Sequence, residues 1–539
     1  MSIIEQVHQR FRGGLALPKH KELTRGKPIL EAPIPPELII PLRQHVGESA
    51  AVTVHVGQYV RRGEQIGRAT DFLSAAVHAS SSGRIIAIED RVTPHPSGRK
   101  EPCVVIATDG EDASQGLPPW PNFHSLEHST LRNRLRQCGV VGLGGAAFPT
   151  AAKLTYSPRR SIHTLILNAV ECEPYLTCDE SLLLERPQEI LNGLEIMRHI
   201  LQVPTAVIAI GENMSASLAS LKEAIDAFSS QHVRIVVVPS LYPAGSEHQL
   251  VQMITGQEVP SGGLPSDLGV VTQNVATAAA VYRAVILGEP LTSRVVTITG
   301  QGITQPHNLR VRIGTPIQYL LDFCGGAVGS NHLVIMGGPM MGFALPNVAS
   351  PVVKATNCLL MPGADELPGR GAAQPCIRCG FCVDACPVGL LPQQLYWHAR
   401  ANDLEAVQEH HLFDCIECGC CATVCPSQIP LVQYYRQAKR EVAVHEQRRE
   451  QATLARERYE HRLTRLGQQA DTNLSQLTRL AASALDSPGD DFDFSADELQ
   501  TAEITVKQAA IQAALDRVQA KKQATLSSPA NDGNDGESS

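Results

Sequence analysis

The chain has 539 residues, enough for several domains, and 43% of them are apolar, as in a globular protein. A formal charge of -8 gives no footprint for nucleic acid. No apolar run reaches the roughly 18 residues of a membrane span: the best candidate, ATAAAVYRAVILG, is short and carries Arg283. A membrane role is therefore expected to be peripheral or to come through a partner.

MSIIEQVHQRFRGG has no signal-peptide apolar core, and residues 1–29 read as an N-terminal segment. Residues 30–115 read as all-β. VTVHVGQYVRRGEQIG alternates around turns at Gly57 and Arg62-Gly63, and SSGRIIAIED adds a turn and a strand. Residues 125–290 alternate apolar runs (LILNAVE, TAVIAIG, RIVVVP) with helical patterns over 187–201 and 216–228, which argues α/β. Residues 293–350 return to short strands with glycine turns, and 366–435 form a cysteine region. From residue 436 the pattern is charged and helical, with apolar positions too sparse for a core. SPGDDFDFSADE and the last residues read as disordered linker and tail.

Of 15 cysteines, nine fall between Cys376 and Cys425, which reads as metal ligation in a reducing compartment. PCIRCGFCVDACP and CIECGCCATVCP each spell C-x2-C-x2-C-x3-C-P. Three thiolates at that step can wrap one cubane, and the fourth, beside the proline, is placed to reach the other cluster. One [4Fe-4S] cluster is then expected on Cys376, Cys379, Cys382 and Cys425, and a second on Cys415, Cys418, Cys421 and Cys386. Cys420 is spare. The competing assignment is a pair of structural zinc sites, which commonly use paired Cys-x-x-Cys units without the third cysteine and the C-P ending. Such clusters carry single electrons, so the chain is expected to be an electron conduit.

VVGLGGAAFPTAAKL (140–154) offers a second candidate site. Gly142, Gly144 and Gly145 let backbone approach a ligand, a helix can start near Pro149, and Lys153 can sit by a phosphate. The stretch is neither the dinucleotide G-x-G-x-x-G, since Ala147 takes the last glycine's place, nor a P-loop. Taken alone it also fits plain packing. LNAVECEPYLTCDE (167–180) adds Asn168, Glu171 and Glu173 after a buried-strand pattern, where α/β proteins build sites. The alternative there is a helix start with incidental acids. Cys172 and Cys178 match no metal spacing and read as buried thiols.

With these motifs in hand, residues 10 to about 435 resemble the C-subunit family of the Rnf/Rsx ion-translocating electron transport complex. The middle part is also similar to the FMN- and NADH-binding subunit of respiratory complex I. That resemblance implies a GxGGAxFPTxxK motif at 142–153, with Gly142, Gly144, Lys153 and Asn168 at FMN and Phe148 and Glu173 at the nicotinamide nucleotide. YPAGSEHQL places Gly245 and Glu247, and NVAT places Asn274 and Thr277, on the flavin side. The departures are Val170 and Ser246, where the complex I family carries acids. The N-terminal β part resembles a barrel-sandwich hybrid of the lipoyl-carrier kind, without a lysine in DFLSAAVHASSSGR for lipoylation. Residues 293–350 resemble the β-grasp domain called SLBB. The stretch between Pro387 and Cys415 looks like helical insertions in a two-cluster ferredoxin-type module.

The resemblance implies electron flow from NADH through FMN to the two clusters and on to integral membrane and iron–sulfur partner subunits, coupled to sodium or proton movement. It places the chain as a peripheral subunit on the cytoplasmic face of a bacterial inner membrane. Exchange with ferredoxin, direct or through another subunit, and the reverse direction of flow fit the same parts. A soluble NADH- or ferredoxin-linked iron–sulfur flavoprotein, and a flavin-free adaptor suggested by Val170 and Ser246, stand beside this reading.

Overall fold

The computed structural model describes residues 3–7, 9–155, 161–228, 232–329, 332–366 and 371–485. Its centre is a five-stranded parallel sheet of β1 (Ile3–Gln6), β2 (Thr164–Ala169), β3 (Thr205–Gly211), β4 (Val233–Val238) and β5 (Val270–Asn274). The spatial order is β1-β4-β3-β2-β5. These strands are near-continuous apolar runs because both faces are covered. Leu165 and Leu167 enter the core on one face and Ile166 the core on the other. The helices expected over 187–201 and 216–228 are Pro187–Leu201 and Ser215–Phe228.

The chain steps outward from β2 to β3 and β4, then returns to lay β5 on the other side of β2. The crevice at the carboxyl ends of β2 and β5 is therefore a topological switch point, where sheets of this kind bind ligands. In the sequence β1 is only part of an N-terminal segment. It closes the sheet edge in parallel with β4, and an Arg234–Glu5 ion pair of 2.9 Å fastens it. Four residues are too few to announce a strand by periodicity alone.

The N-terminal β domain packs a four-stranded and a three-stranded sheet around Leu38, Ile40, Ile66, Ile85, Val104 and Ile106. A second β domain is built on Ser293–Thr299, His307–Arg312 and helix Ile317–Phe323. Its sheet also recruits Leu30–Glu31 and Cys358–Leu360, from either side of the span expected for it. The stretch between the cysteine motifs forms helices Pro392–Ala401 and Leu404–Glu409.

The last helix among the described residues runs Leu431–Leu485. Its first turns bury Leu431, Val432, Tyr435, Ala438 and Val442 in the core of the cysteine module. Compact units accordingly divide between His445 and Glu446, later in the chain than the change in composition near 436. SPGDDFDFSADE and the residues after it lie outside the described residues. Among the described residues no helix is long and apolar enough to cross a membrane.

Candidate functional site

The glycine stretch forms a closed loop at the switch point. Val141 and Pro149 make an antiparallel bridge, and Gly142 N–H donates to the Phe148 carbonyl at 2.8 Å. Gly144, Gly145 and Ala146 stand exposed at the tip, and Phe148 is half-buried. Gly145 has φ +112°, which a side chain would resist, and a Cβ on Gly144 would lie 3.3 Å from Asn274 Cβ. Leu143 N–H donates to Thr277 Oγ1 at 2.9 Å, tying the loop to the first turn of helix Val275–Tyr282. Asn274 caps that helix: its Oδ1 accepts from Ala276 N–H at 2.9 Å, and its Nδ2 donates to Asp179 Oδ2 at 2.6 Å. The capped helix start and the exposed glycine backbone face the crevice end of β5, a natural place for an anionic group.

Four other predicted residues meet nearby. Asn168, near the end of β2, donates from Nδ2 to the Gly245 carbonyl at 2.7 Å. Lys153 Nζ sits 2.9 Å from Glu247 Oε1 and 3.3 Å from Thr272 Oγ1, and the Thr272 hydroxyl also donates to Glu247. Gly245 packs so closely that a Cβ there would lie 3.0 Å from Cys172 Sγ. Glycine loop, 167–173 segment, 242–247 segment and NVAT segment thus form one crevice. Its composition fits a phosphate-bearing flavin: backbone N–H groups, a helix start and one lysine.

The two acids of the 171–173 segment have different settings. Glu171, at φ 44°, directs its carboxylate into the start of helix Cys178–Glu185. It accepts from Asp179 N–H at 2.9 Å and Glu180 N–H at 3.3 Å, and pairs with the buried Lys21 at 3.2 Å. Glu173 accepts from Met341 N–H at 2.9 Å and Met340 N–H at 3.3 Å. Burial pushes its carboxyl up to about 7, against the pull of those N–H groups. Gly338 leaves room for it, since a Cβ there would meet Glu173 Oε2 at 2.2 Å.

The cysteines sort into two sets. Cys376, Cys379, Cys382 and Cys425 line a cavity of about 300 Å³. Cys386, Cys415, Cys418 and Cys421 line a second, more closely packed one. Each set takes three thiols from one motif and the fourth from the other. The local geometry repeats: Arg378 and Glu417 both have φ 57°, and Gly380 (φ 85°) and Gly419 (φ 82°) each precede a one-turn helix. The first quartet borders room for a cubane with an iron at each of four corners, whereas the second borders only about 20 Å³. Cys420 lines neither cavity and packs with Tyr242, Ala385 and Cys418.

Sequence reasoning missed the residues that join the two sites. Tyr242 O–H donates to the Cys418 carbonyl at 2.6 Å, and Gly14 N–H donates to the Ala385 carbonyl at 3.1 Å. Gly419 lies against the Met340 carbonyl, within 3.1 Å of where its Cβ would be. Met340 therefore touches both Glu173 and the second cysteine set. Tyr242 lies in the YPAGSEHQL segment, but nothing in its neighbours marks a contact 176 positions away.

Family models match four stretches of the chain: the RnfC barrel sandwich hybrid domain at residues 9–111, the Nuo51 FMN-binding domain at 135–283, the SLBB domain at 295–344 and the 4Fe-4S dicluster domain at 375–429. The C-subunit of the ion-translocating oxidoreductase complex of Yersinia pestis bv. Antiqua is 46% identical over 461 residues, covering 85% of this chain and 73% of that protein. The chain belongs to the C-subunit family of ion-translocating oxidoreductase complexes. Its relatives of the same name from Pseudomonas aeruginosa (47% identical) and Erwinia tasmaniensis (46%) also match over 85% of this chain, which spans only 58% and 56% of their lengths. An NAD+-reducing [NiFe]-hydrogenase in the H2-reduced state superposes with a TM-score of 0.42 at 18% identity, over 61% of this chain and 64% of that one, too loosely to argue from. The expected fold class stands: barrel-sandwich hybrid, α/β flavin domain, SLBB domain and two-cluster ferredoxin-type module.

Proposed function

We propose that this chain is the electron-input subunit of a membrane-bound ion-translocating complex, passing electrons between NADH, through FMN, and two [4Fe-4S] clusters toward partner subunits. The observation that carries the reading is the junction of the switch-point crevice with two four-thiol cavities in one compact unit, bridged by Tyr242 and Met340. Cys376, Cys379, Cys382 and Cys425 hold one cluster, and Cys386, Cys415, Cys418 and Cys421 the other. The loop backbone at Gly142, Gly144 and Gly145, with Asn168, Lys153, Asn274 and Thr277, holds FMN. Gly245 and Glu247 line its other side, Glu171 orders the segment from beneath, and Phe148 and Glu173 face the nicotinamide.

A bound flavin exchanges a hydride on one side and single electrons on the other, which cubanes require. The protein's own tasks are to position and to exclude water. Lys153 is already held by Glu247 and Thr272, so it meets a phosphate with little rotamer freedom left to lose. The chain sits at the cytoplasmic face of the inner membrane as a peripheral subunit, and ion movement belongs to its integral membrane partners. Ferredoxin exchanges electrons with it directly or through another subunit.

Anaerobic purification with iron, sulfide and FMN quantified on one sample tests this reading. Roughly eight irons per chain are expected, with one FMN and NADH–ferricyanide activity. About four irons, or stoichiometric zinc, refutes the cluster assignment. Full iron without flavin refutes NADH input and leaves an iron–sulfur adaptor.

A further inference from the structure

Along helix Val275–Tyr282 runs a cleft that the proposed electron path does not use. It measures about 70 Å³ and is lined by Arg62 from the N-terminal β domain, Arg186 and Arg283 from the flavin domain, and Arg294 and Arg310 from the SLBB domain. Ala276, Ala279 and Ala280 floor it and leave the space open. Arg312 stands beside it, sharing Asp112 with Arg62.

Carboxylates are in short supply there. Asp112 serves Arg62 at 3.1 Å and Arg312 at 2.5 Å. Glu189 serves Arg186 at 3.3 Å and Arg283 at 3.2 Å, while Glu289 adds a second contact to Arg283 at 2.8 Å. The carboxylate near Arg310 is Glu31 at 3.3 Å, itself 64% exposed. Arg294 is buried and donates to the carbonyls of Leu143, Val295 and Lys354. Five carboxylates, with Asp179 in the field of Arg294, thus face six guanidiniums that do not deprotonate. Burial, and then the neighbouring Arg283, hold Arg310 below its usual range, and Arg186 adds to this. Arg312 is held low as well, by burial first and then by its neighbours Arg62 and Arg310, whereas in Arg283 burial is outweighed by Glu289 and Glu189.

We propose that this cleft binds a small tetrahedral oxyanion of the phosphate class, which fastens the three domains together. Guanidinium forks approach from three domains, which suits oxygens pointing in several directions better than a flat carboxylate. The volume takes such an ion and excludes a nucleotide. The cleft borders the flavin loop at Leu143 and Ala276 and extends from there to Arg283. Arg283 caps the far end of the helix, on the order of 10 Å from its start at 1.5 Å per residue.

The test uses the full chain loaded with iron and FMN, and inorganic phosphate as the probe. Equilibrium dialysis with labelled phosphate should give one saturable site per chain. Phosphate should also raise the melting temperature by roughly 2–4 °C over chloride at matched ionic strength, with ligand well above Kd. The double variant Arg186→Gln/Arg310→Gln should lose binding by about tenfold or more while keeping its flavin. Arg186→Lys/Arg310→Lys keeps the charge but not the forks and should bind more tightly than the glutamine pair and more weakly than wild type, which separates loss of the site from loss of the fold. Absence of saturable binding, or equal binding in wild type and the glutamine variant (an adventitious ion only), overturns the proposal. Displacement of FMN by phosphate would assign the anion to the flavin crevice and overturn it equally.

Discussion

Glu173→Gln separates the structural setting of this carboxyl from the role proposed for it at the nucleotide. Burial lifts its folded value to about 7 from the ordinary 4.5. The native state therefore binds more protons than the unfolded chain between those values, and stability falls as pH rises through that window, levelling off above it. The gap converts to about 3 kcal/mol. That is a ceiling, because the residue keeps some solvent contact. Glutamine does not ionise and has no such slope. Its single acceptor oxygen serves one of the Met340 and Met341 N–H groups well, at a cost of about 1 kcal/mol at every pH. The variant should be less stable than wild type by somewhat under about 1 kcal/mol near pH 4, about equal near pH 5, and more stable by up to about 2 kcal/mol near pH 8. Melts across that range on samples of equal iron and flavin content measure this. A stability difference constant with pH would mean that the carboxyl titrates normally and would refute the argument. On the same samples Glu173→Gln and Phe148→Ala should keep FMN and lose NADH–ferricyanide rate on the order of tenfold, or about 1–3 kcal/mol. Unchanged rates in folded, flavin-loaded variants would remove both residues from the nucleotide site.

Three further outcomes follow from the same geometry. Cys420→Ser should leave iron and sulfide content unchanged, because Cys420 lines neither thiol cavity; loss of a cluster would show that the ligand sets are wrong. A chain ending at His445 should retain iron and flavin, whereas one ending at Tyr435 should lose iron, since it gives up the buried Ala438 and Val442 and the Lys439 Nζ contact to the Cys415 carbonyl at 2.7 Å. Lys153→Ala should weaken FMN retention without disturbing iron, by about 1–3 kcal/mol for a charge-assisted contact; unchanged flavin affinity would place the phosphate elsewhere.

What the sequence announces is what repeats or has a period. The doubled cysteine motif names its interleaved quartets through spacing alone, and these quartets line the two cavities. LILNAVE and TAVIAIG read as buried strands because a parallel sheet covered on both faces tolerates unbroken apolar runs. Helix Pro187–Leu201 begins and ends where its apolar spacing does. The short pieces are silent. Ile3–Gln6, Leu30–Glu31 and Cys358–Leu360 are two to four residues long, and each joins a sheet through partners far away in the chain. Composition likewise misplaces the end of the cysteine module. The helix from Leu431 turns charged on its solvent side before its buried face ends at Val442.

The junction between the crevice and the thiol cavities is the least legible part. Lys21 looks like one more surface charge in PKHKEL, yet it is buried against Glu171 and donates to that residue's carbonyl at 2.8 Å. A buried lysine without this carboxylate would be costly, and a buried carboxylate without the lysine and the helix N–H groups equally so. The pair therefore fixes how the N-terminal segment crosses the 171–173 segment. A few residues upstream, that same segment meets Tyr242 through paired backbone bonds from Leu15, and Tyr242 in turn reaches Cys418. The placement of the second thiol set against the flavin domain thus depends on a strap of residues 13–21, whose local composition resembles a linker. If electrons cross here, the distance they travel is set by that strap, and not by either cofactor motif.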